Sequence, residues 1–568
     1  VKLLLSPRQS RGFTHFNYDQ AEQIFQRAIA ADPNNANNLG NFASYMTKIR
    51  QNHNLAEQLY QRAIAADPNL ANALGSFAVF MTNVRQNHDL AEQLYQRAIA
   101  ADPNLAYALG NFAYFMTTIR QNHDLAEQLY QRAIAADPKD ADALGNFALF
   151  MTKIRQNHDL AEQLYQRAIA ADPNHANNLY NYALFMTDIR QNHDQAEQLY
   201  QRAIAADPNH AHALSNLAVF MTDIRQNHDL AEQLYQRAIA ADPNHASILD
   251  NLANFMTKIR KNHDLAEQLY QRAIAADPNH ADALGSFAVF MTAIRQNHDL
   301  AEQLFQRAIA ADPNHAHALG NFAVFMTNIR QNHDLAEQLY QRAIAADPNH
   351  ANALGNFANF MTNIRKNHDQ AEQLYQRAIA ADPNHVNALG NFAYFMTTIR
   401  QNHDLAEQLY QRAIAADPNH ANALGNFASF MTTIRQNHDL AEQLYQRAIA
   451  ADPKNANILG NYAGFLLARK RKAEGLERLQ AAFGLRLPQQ RSLHLELLYY
   501  ATIHAPDRYP EALSTLKRLI VDGVRSPGWD LSGHVAIARE HNDPRAELLA
   551  QLAAVISDGA DPASLDRF

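Results

Sequence analysis

The chain has 568 residues, of which 47% are hydrophobic and 19% are charged, a composition typical of a folded protein. Its net charge of -8 and pI near 6.4 give no basic excess, so no nucleic-acid partner is predicted. The chain has no cysteine for disulfides or zinc thiolates, and no run of about 18 apolar residues for a bilayer span. We therefore expect a cytoplasmic protein that does not enter a membrane.

Regularly spaced prolines divide most of the chain into units. Thirteen prolines from Pro33 to Pro453 are spaced 35 residues apart, and each follows an aspartate. Because a residue before proline is disfavoured in a helix, one helix is predicted to end at each Asp-Pro. Asp89 lies three residues before Glu92, as in a capping box, which predicts that a second helix begins at Asp89. Apolar residues at three-and-four spacing make each unit a predicted helical hairpin.

A hairpin this short cannot bury both of its apolar stripes, so neighbouring units must stack into a solenoid. The sequence predicts an all-α fold with three parts. Residues 1–16 form an N-terminal segment, interpreted as the end of a truncated upstream region. Residues 17–470 form the solenoid, with 12 full repeats and a half repeat at each end. Residues 471–568 lose the period but keep helical patterns, and we expect them to form a helical domain that caps the last repeat.

The repeat resembles that of the tetratricopeptide family across residues 17–470. The matching positions in the second full unit are Leu74, Ala78, Phe80, Ala91, Tyr95, Ala98 and Pro103. The resemblance implies a right-handed superhelix whose first helices line a concave groove. The period is 35 instead of the family's usual 34, and we place the extra residue in the "RQNHD" turn.

Variation between units is concentrated in the first helix. Within the first full unit the varied positions are Asn37, Gly40, Ser44 and Lys48, which lie on one helix face. Two interpretations remain open: exposed positions have drifted after recent duplication, or this stripe contacts a ligand. The second is favoured because other positions that look exposed do not vary. The predicted specificity residues on the stripe are Asp142, Tyr180, Asp188, His212, Asp223, Asp250 and Asp282.

The positions that look exposed but do not vary are Gln58, Gln61 and Arg62, which are the same in every full unit. Drift alone should have reached them too. Their constancy is the reason for preferring a ligand-contacting stripe to a merely tolerant surface.

An asparagine on the same face is nearly constant. Its amide offers donors and an acceptor, so it suits the main chain of an extended peptide; the alternative is a structural role between helices. The pattern resembles the asparagine ladder of the tetratricopeptide groove in O-GlcNAc transferase, which implies main-chain binding. The predicted backbone-binding residues are Asn111, Asn146, Asn181, Asn216, Asn251, Asn321, Asn356, Asn391 and Asn426.

The acids on the stripe predict a partner with a basic segment, although Lys153 and Lys258 offset part of their charge. A merely solvated groove is the alternative. Histidines recur at two positions of the unit, but neighbouring repeats are about 10 Å apart whereas zinc needs ligands at about 2.0 Å. No metal, cofactor or catalytic residue is predicted, since no nucleophile with a positioned base is recognisable.

The sequence thus predicts a non-catalytic scaffold that binds a protein or peptide along its groove. One alternative is the sensor or assembly arm of a larger bacterial signalling or defence protein, with its effector upstream or on another chain. Another is a structural protein that self-associates into filaments.

Overall fold

The computed structural model describes residues 18–485, 490–526, 531–557 and 560. The predicted N-terminal segment, residues 1–16, lies outside this range. Every regular element of the described residues is helical, with 31 α-helices and no strand, so the predicted all-α class is confirmed. The helices group into two compact units, one ending at Ala276 and the other beginning at Asp277.

In the first unit, each repeat consists of an even-numbered first helix and an odd-numbered second helix. The bounds are α1 (Tyr18–Ala31), α2 (Ala36–Tyr45), α3 (His53–Ala66), α4 (Ala71–Phe80), α5 (His88–Ala101), α6 (Ala106–Thr118), α7 (His123–Ala136), α8 (Ala141–Phe150), α9 (His158–Ala171), α10 (Ala176–Asp188), α11 (His193–Ala206), α12 (Ala211–Asp223), α13 (His228–Ala241), α14 (Ala246–Phe255) and α15 (His263–Ala276).

The second unit continues the same alternation through α26 and then changes. The bounds are α16 (Ala281–Phe290), α17 (His298–Ala311), α18 (Ala316–Phe325), α19 (His333–Ala346), α20 (Ala351–Phe360), α21 (His368–Ala381), α22 (Val386–Phe395), α23 (His403–Ala416), α24 (Ala421–Thr433), α25 (His438–Ala451), α26 (Ala456–Ala468), α27 (Lys472–Gly484), α28 (Arg491–His504), α29 (Ala512–Val521), α30 (Ser532–Glu540) and α31 (Ala546–Ser557).

The second helices end where the sequence predicts, but they begin at a different residue. Asp102 ends α5 in an extended conformation just before Pro103, as predicted. The predicted N-cap at Asp89 is wrong, because the cap is Asn87, whose side chain accepts the Leu90 N–H at 3.2 Å. Asp89 lies inside the first turn, where its carboxylate accepts a hydrogen bond from Arg120 of the next repeat.

The extra residue of the 35-residue period lies in the last turn of the first helix, slightly before the predicted turn. In α6 the N–H of Arg120 bonds to the carbonyl of Phe115, five residues back, and such a turn holds one residue more than an α-helical turn. Elsewhere the same turn is a π-helical segment that continues the first helix, at Met46–Arg50, Met81–Arg85, Met151–Arg155, Met256–Arg260, Met291–Arg295, Met326–Arg330, Met361–Arg365 and Met396–Arg400.

Consecutive repeats are joined by aromatic rings and one arginine. The Tyr95 ring of α5 stacks on Phe112 of the next repeat, with centroids 5.2 Å apart, and lies 5.7 Å from Phe115. Arg120 covers Phe115 at 5.7 Å and bonds to the Glu92 carboxylate at 2.7 Å. Because these contacts recur along each unit, the second helix needs the same residues in every repeat.

One of the constant residues that looked solvent-facing also has such a role. Arg62 donates to the carbonyl of Pro33 in the preceding repeat at 3.1 Å, and Arg97 does the same to Pro68 at 3.2 Å. The constancy of this arginine therefore has a structural cause, and it no longer argues that the variable stripe is under separate selection.

The helices after α26 cover the end of the second unit's stack. Leu459, Ala463 and Leu467 of α26 are buried in one core with Tyr499 of α28 and Leu549 of α31. The Tyr499 hydroxyl donates to the Leu549 carbonyl at 3.0 Å. The predicted helical cap is confirmed, since an exposed apolar face at the end of a repeat stack must be covered.

Buried titratable groups distinguish this cap from the repeats. Burial raises the pKa of Glu496, which accepts a hydrogen bond from Ser526, to about 8. Burial also lowers the pKa of His504 to about 4 and that of His534 to about 3. The two histidine rings are joined by a hydrogen bond of 2.9 Å between Nε2 of His504 and Nδ1 of His534, and both stay neutral near pH 7.

Deletion of a whole repeat should be tolerated better than deletion of half of one. Removing residues 316–350 keeps every second helix followed by a first helix, whereas removing 316–332 leaves α17 without its aromatic partners. We expect circular dichroism to show cooperative unfolding and full helicity per residue for the first variant only. Equal damage in both variants would contradict nearest-neighbour stacking.

Replacing Glu496 with Gln should stabilise the cap in a pH-dependent way. The ordinary pKa of 4.5 is raised to about 8 in the folded protein, so the folded state binds a proton that the unfolded state releases. The contribution of Glu496 to stability is therefore largest below pH 4.5 and falls by up to about 1.4 kcal/mol per pH unit until about pH 8. Glu496→Gln removes this loss.

Hydrogen exchange of the α28 amides, compared between the two proteins at the same pH, measures this effect. We expect the variant to be better protected at pH 8 and the advantage to shrink at pH 5. The titration of His504 and His534 cancels in the comparison because both proteins contain them. An advantage that is the same at both pH values would show that Glu496 does not titrate as described.

Candidate functional site

The constant asparagines lie on one face of the first helices, here called the asparagine face. Of the nine predicted backbone-binding residues, Asn426 is exposed and the others are half-buried. The side-chain amides of five of them form no hydrogen bond within the described part of the chain. Both the oxygen and the NH₂ group of each amide are therefore available. These five are Asn146 and Asn181 in the first unit, and Asn356, Asn391 and Asn426 in the second.

The other four predicted asparagines have partners within the protein. Asn111 donates to the Tyr107 carbonyl of its own helix at 2.8 Å, and Asn321 lies 3.3 Å from Nε2 of His317. Their amides are partly used inside their own helix, which differs from the role between helices that the sequence left open.

The remaining two are engaged by the preceding repeat. Asn216 donates to the Tyr180 hydroxyl at 3.0 Å and Asn251 to the Ser215 hydroxyl at 3.4 Å. Tyr180 and Ser215 stand where most repeats have glycine. A hydroxyl at this position therefore accepts a hydrogen bond from the asparagine of the next repeat. A glycine at this position offers no such acceptor.

The glycine position itself is a contact between neighbouring first helices. A Cβ added at Gly110 would lie 3.5 Å from the Cβ of Ala143 in the next repeat, and one at Gly40 only 3.3 Å from that of Ala73. The predicted specificity residue Asp250 occupies this position and is only 6% exposed. It lies inside the helix stack, away from the open part of the asparagine face.

The exposed acids of the stripe each have a charged or basic neighbour. Asp142 contacts Nε2 of His175 at 2.8 Å, and Asp282 contacts Nε2 of His315 at 3.0 Å. Each of these histidines caps the first helix that follows, by accepting a backbone N–H at its Nδ1. Asp142 and Asp282 therefore link consecutive repeats as well as facing solvent.

Among the exposed acids of the stripe, Asp188 and Asp223 have the weakest interactions with neighbouring side chains. Partial burial raises the pKa of both, and a lysine one repeat away, Lys153 for Asp188 and Lys258 for Asp223, lowers it again in part. The first unit thus has two pairs of one aspartate and one lysine on the asparagine face. The opposite charges of each pair nearly cancel.

An aromatic cluster, which sequence reasoning recognised only in part, lies next to these acids. The Tyr180 ring lies 5.3 Å from His210 and 6.3 Å from His212, and His212 meets His245 edge-on at 4.6 Å. Burial, and then the neighbouring histidines, lower the pKa of His212. The replacement of glycine by Tyr180 beside two histidines of the next repeat is the sequence signal that could have identified it.

The second unit holds a cavity of about 490 Å³ on the asparagine face. The cavity is lined by the asparagines Asn391 and Asn426, whose amides are free, and by Tyr394, which is 53% exposed. Asn359, Asn363, Tyr375, Thr362 and Phe395 complete the lining. All of these residues are uncharged, so the cavity is polar but neutral.

Among the residues that the structure describes, no group of three or more histidines, cysteines or carboxylates is placed to hold a metal ion. No described helix combines the length and apolar character needed to cross a bilayer.

Stacked hairpins with a constant second helix and a variable first-helix face define a helical-repeat solenoid, a class that presents a long continuous surface. Tetratricopeptide repeat models match residues 119–176, 190–246, 259–316, 293–351 and 365–421, and residues 328–389. A Sel1 repeat model matches residues 36–68, 81–103 and 423–453. The chain belongs to the tetratricopeptide-type repeat proteins. Repeats of this type generally form non-catalytic scaffolds for protein or peptide partners.

Solved structures are similar to this chain at low sequence identity. The APC/C hetero-tetramer Cut9–Hcn1 is similar over 88% of this chain and 93% of that chain, with a TM-score of 0.54 and 14% identity. Yeast Tom70 gives 73% and 99%, with a TM-score of 0.40 and 15% identity. Pseudomonas aeruginosa PilF gives 38% and 94%, with a TM-score of 0.32 and 20% identity. The comparison with curated proteins gives no match.

Proposed function

We propose that this chain is a non-catalytic scaffold whose asparagine face binds the main chain of an extended polypeptide. The observation that carries the proposal is the set of five asparagines without an internal partner, three of which recur at 35-residue intervals as Asn356, Asn391 and Asn426. A free carboxamide can donate to a peptide carbonyl and accept from a peptide N–H at once. A regular row of them suits a ligand that is itself regular, which the peptide main chain is.

The four engaged asparagines have a different role in this proposal. Asn111 is bound to its own helix, and Asn216 and Asn251 are bound to hydroxyls of the preceding repeat. Binding a peptide there requires an existing hydrogen bond to be shared or exchanged, so the net gain is smaller. Main-chain binding is therefore concentrated in the repeats whose asparagine side chain has no such partner.

We also propose that Asp188 and Asp223 favour a lysine or arginine side chain of the partner. They are the two predicted acids that are exposed and, among the described residues, form no hydrogen bond or ion pair with a histidine. A cation that enters gains from both carboxylates, and the neighbouring lysines keep that gain modest. Because the groups are near the surface, the interaction is screened over about 10 Å at 0.1 M salt.

Replacement of the free asparagines should weaken peptide binding broadly. The probe is a set of unstructured 15-residue peptides selected from a random library for binding to the full chain. Asn356, Asn391 and Asn426 changed together to Ala should weaken the binding of all selected peptides by about 1.5 to 4.5 kcal/mol, at about 0.5 to 1.5 kcal/mol for each lost amide interaction. Fluorescence anisotropy measures the affinities, and circular dichroism checks that helicity is unchanged.

The matched control changes the engaged asparagines Asn111, Asn216 and Asn251 to Ala in the same chain. Its effect on binding should be clearly smaller, because those amides already have partners. If the control weakens binding as much as the first triple variant, or if neither does, the free asparagines are not the main-chain contact.

The acids should be recognisable from the salt dependence of binding. Asp188→Asn with Asp223→Asn should weaken lysine-containing peptides by a few-fold and flatten the dependence of affinity on salt concentration. Lys153→Gln with Lys258→Gln should do the opposite, strengthening the same peptides and steepening the dependence. An unchanged salt dependence in both variants would remove the acids from the binding surface.

A further inference from the structure

The neutral cavity of the second unit has a more specific chemistry than the rest of the asparagine face. It is bordered by four side-chain amides, those of Asn359, Asn363, Asn391 and Asn426, and by the ring of Tyr394. Its volume of about 490 Å³ lies in the range of sites that bind small ligands or a few residues of a peptide. A row of asparagines for main-chain contacts does not by itself explain why Asn359 and Asn363 are there too.

Asn359 is held in one orientation by its own hairpin. The Tyr375 hydroxyl donates to Oδ1 of Asn359 at 2.5 Å. Burial raises the pKa of Tyr375 to about 12, so the hydroxyl keeps its proton. With its oxygen engaged, Asn359 turns its NH₂ group away from the tyrosine as a fixed pair of donors, and that group has no partner within the described residues.

The equivalent asparagine of the first unit shows what a purely structural role looks like. Asn254 also accepts from a tyrosine, Tyr270, at 3.0 Å. Its NH₂ group, however, donates to the carbonyl and the carboxylate of Asp250 at 3.1 and 3.2 Å. The carboxylate acceptor has no counterpart at Asn359, because its helix has Gly355 where α14 has Asp250, and among the described residues the NH₂ group of Asn359 makes no hydrogen bond to the Gly355 carbonyl.

The chemistry of the walls limits the ligand. All lining residues are uncharged, so an ionic group would lose hydration without gaining an opposite charge. An apolar group would leave the amides unpaired, which is also unfavourable. A carboxamide avoids both losses, because it is neutral and pairs its acceptor and donors with those of another carboxamide. The half-exposed Tyr394 ring offers an apolar surface to the methylene groups of the same side chain.

We propose that this cavity is a subsite for the carboxamide side chains of a glutamine- or asparagine-containing stretch of polypeptide. The inference rests on the proposed function, because it takes the ligand to be an extended polypeptide bound through its main chain. Asn359 donates to the ligand's side-chain carbonyl, Asn391 and Asn426 hold the main chain beside it, and Tyr394 packs on the side-chain stem.

The test compares three end-blocked, fluorescently labelled octapeptides with the full chain. Each alternates glycine with one other residue, which is glutamine, methionine or glutamate. Methionine and glutamate match glutamine in length, but methionine lacks the amide and glutamate is charged. The main chain is the same in all three, so any difference in affinity reports on the side chain. We expect the glutamine peptide to bind at least tenfold more tightly than either of the others.

The variants then assign the preference to the cavity. Two other repeats have leucine at the position of Asn359, as Leu149 and Leu184. The fold is therefore expected to tolerate Asn359→Leu. This variant should reduce the affinity of the glutamine peptide to that of the methionine peptide. The control Asn328→Thr alters an exposed asparagine outside the cavity, at a position where Thr398 and Thr433 occur naturally, and should leave all three affinities unchanged.

The possible results separate this subsite from the main-chain proposal. Equal binding of the three peptides overturns the subsite and leaves main-chain binding standing. A glutamine preference that survives Asn359→Leu, or that Asn328→Thr also removes, overturns the assignment to this cavity. Failure of all three peptides to bind overturns the subsite, and together with an empty library selection it overturns main-chain binding as well.

Discussion

The rest of the structure depends on one contact, which is the packing of each second helix against the first helix of the next repeat. Tyr95 on Phe112 and Phe115, covered by Arg120, is one copy of it. Each aromatic pair adds about 0.5 to 1.5 kcal/mol beyond the area that it buries, and a single hairpin has no partner for these rings. Stability within each unit is therefore a nearest-neighbour property, and any change in the second helix is felt by two repeats at once.

The same stacking decides what the asparagine face can present. Neighbouring first helices meet at the glycine position, where a Cβ added at Gly110 would lie in ordinary contact with that of Ala143, at 3.5 Å. Where the glycine is replaced by Tyr180 or Ser215, the new hydroxyl accepts from the asparagine of the next repeat. One packing position thus decides whether the preceding repeat binds the following asparagine, without any change to the asparagine itself.

Much of the fold could be predicted because it depends on local rules repeated many times. The Asp-Pro helix ends, the hairpins and the helical cap follow from backbone restriction and apolar periodicity. The predicted start of α5 at Asp89 is two residues later than the observed cap at Asn87, because both residues are good caps. The sequence does not show that the Asp89 carboxylate binds Arg120. The one-residue excess was assigned to the turn because periodicity does not reveal a helix turn closed by longer hydrogen bonds.

The site was predictable as a set of positions but not as a set of available groups. Asn111 and Asn391 look identical in sequence, yet the first donates to its own helix and the second does not. That difference depends on side-chain orientation, which a repeat pattern does not encode. Asp250 likewise shares the variable stripe with Asp188 in sequence, although it is buried and Asp188 is exposed.

A binding surface made by repetition has to break its own regularity to become specific. Identical repeats present identical groups, so they can hold a regular main chain but cannot fix where along it the ligand sits. In the first unit the regularity is broken by Tyr180 and the acid and lysine neighbours, and in the second by the neutral cavity at Asn359 and Tyr394. These features occupy first-helix positions outside the rings that stack between repeats, although Asn359 accepts a hydrogen bond from the hydroxyl of one such ring, Tyr375. They can therefore differ between repeats while the packing between repeats stays the same. The separation of stacking residues from presenting residues is therefore what allows one frame to carry two different local chemistries.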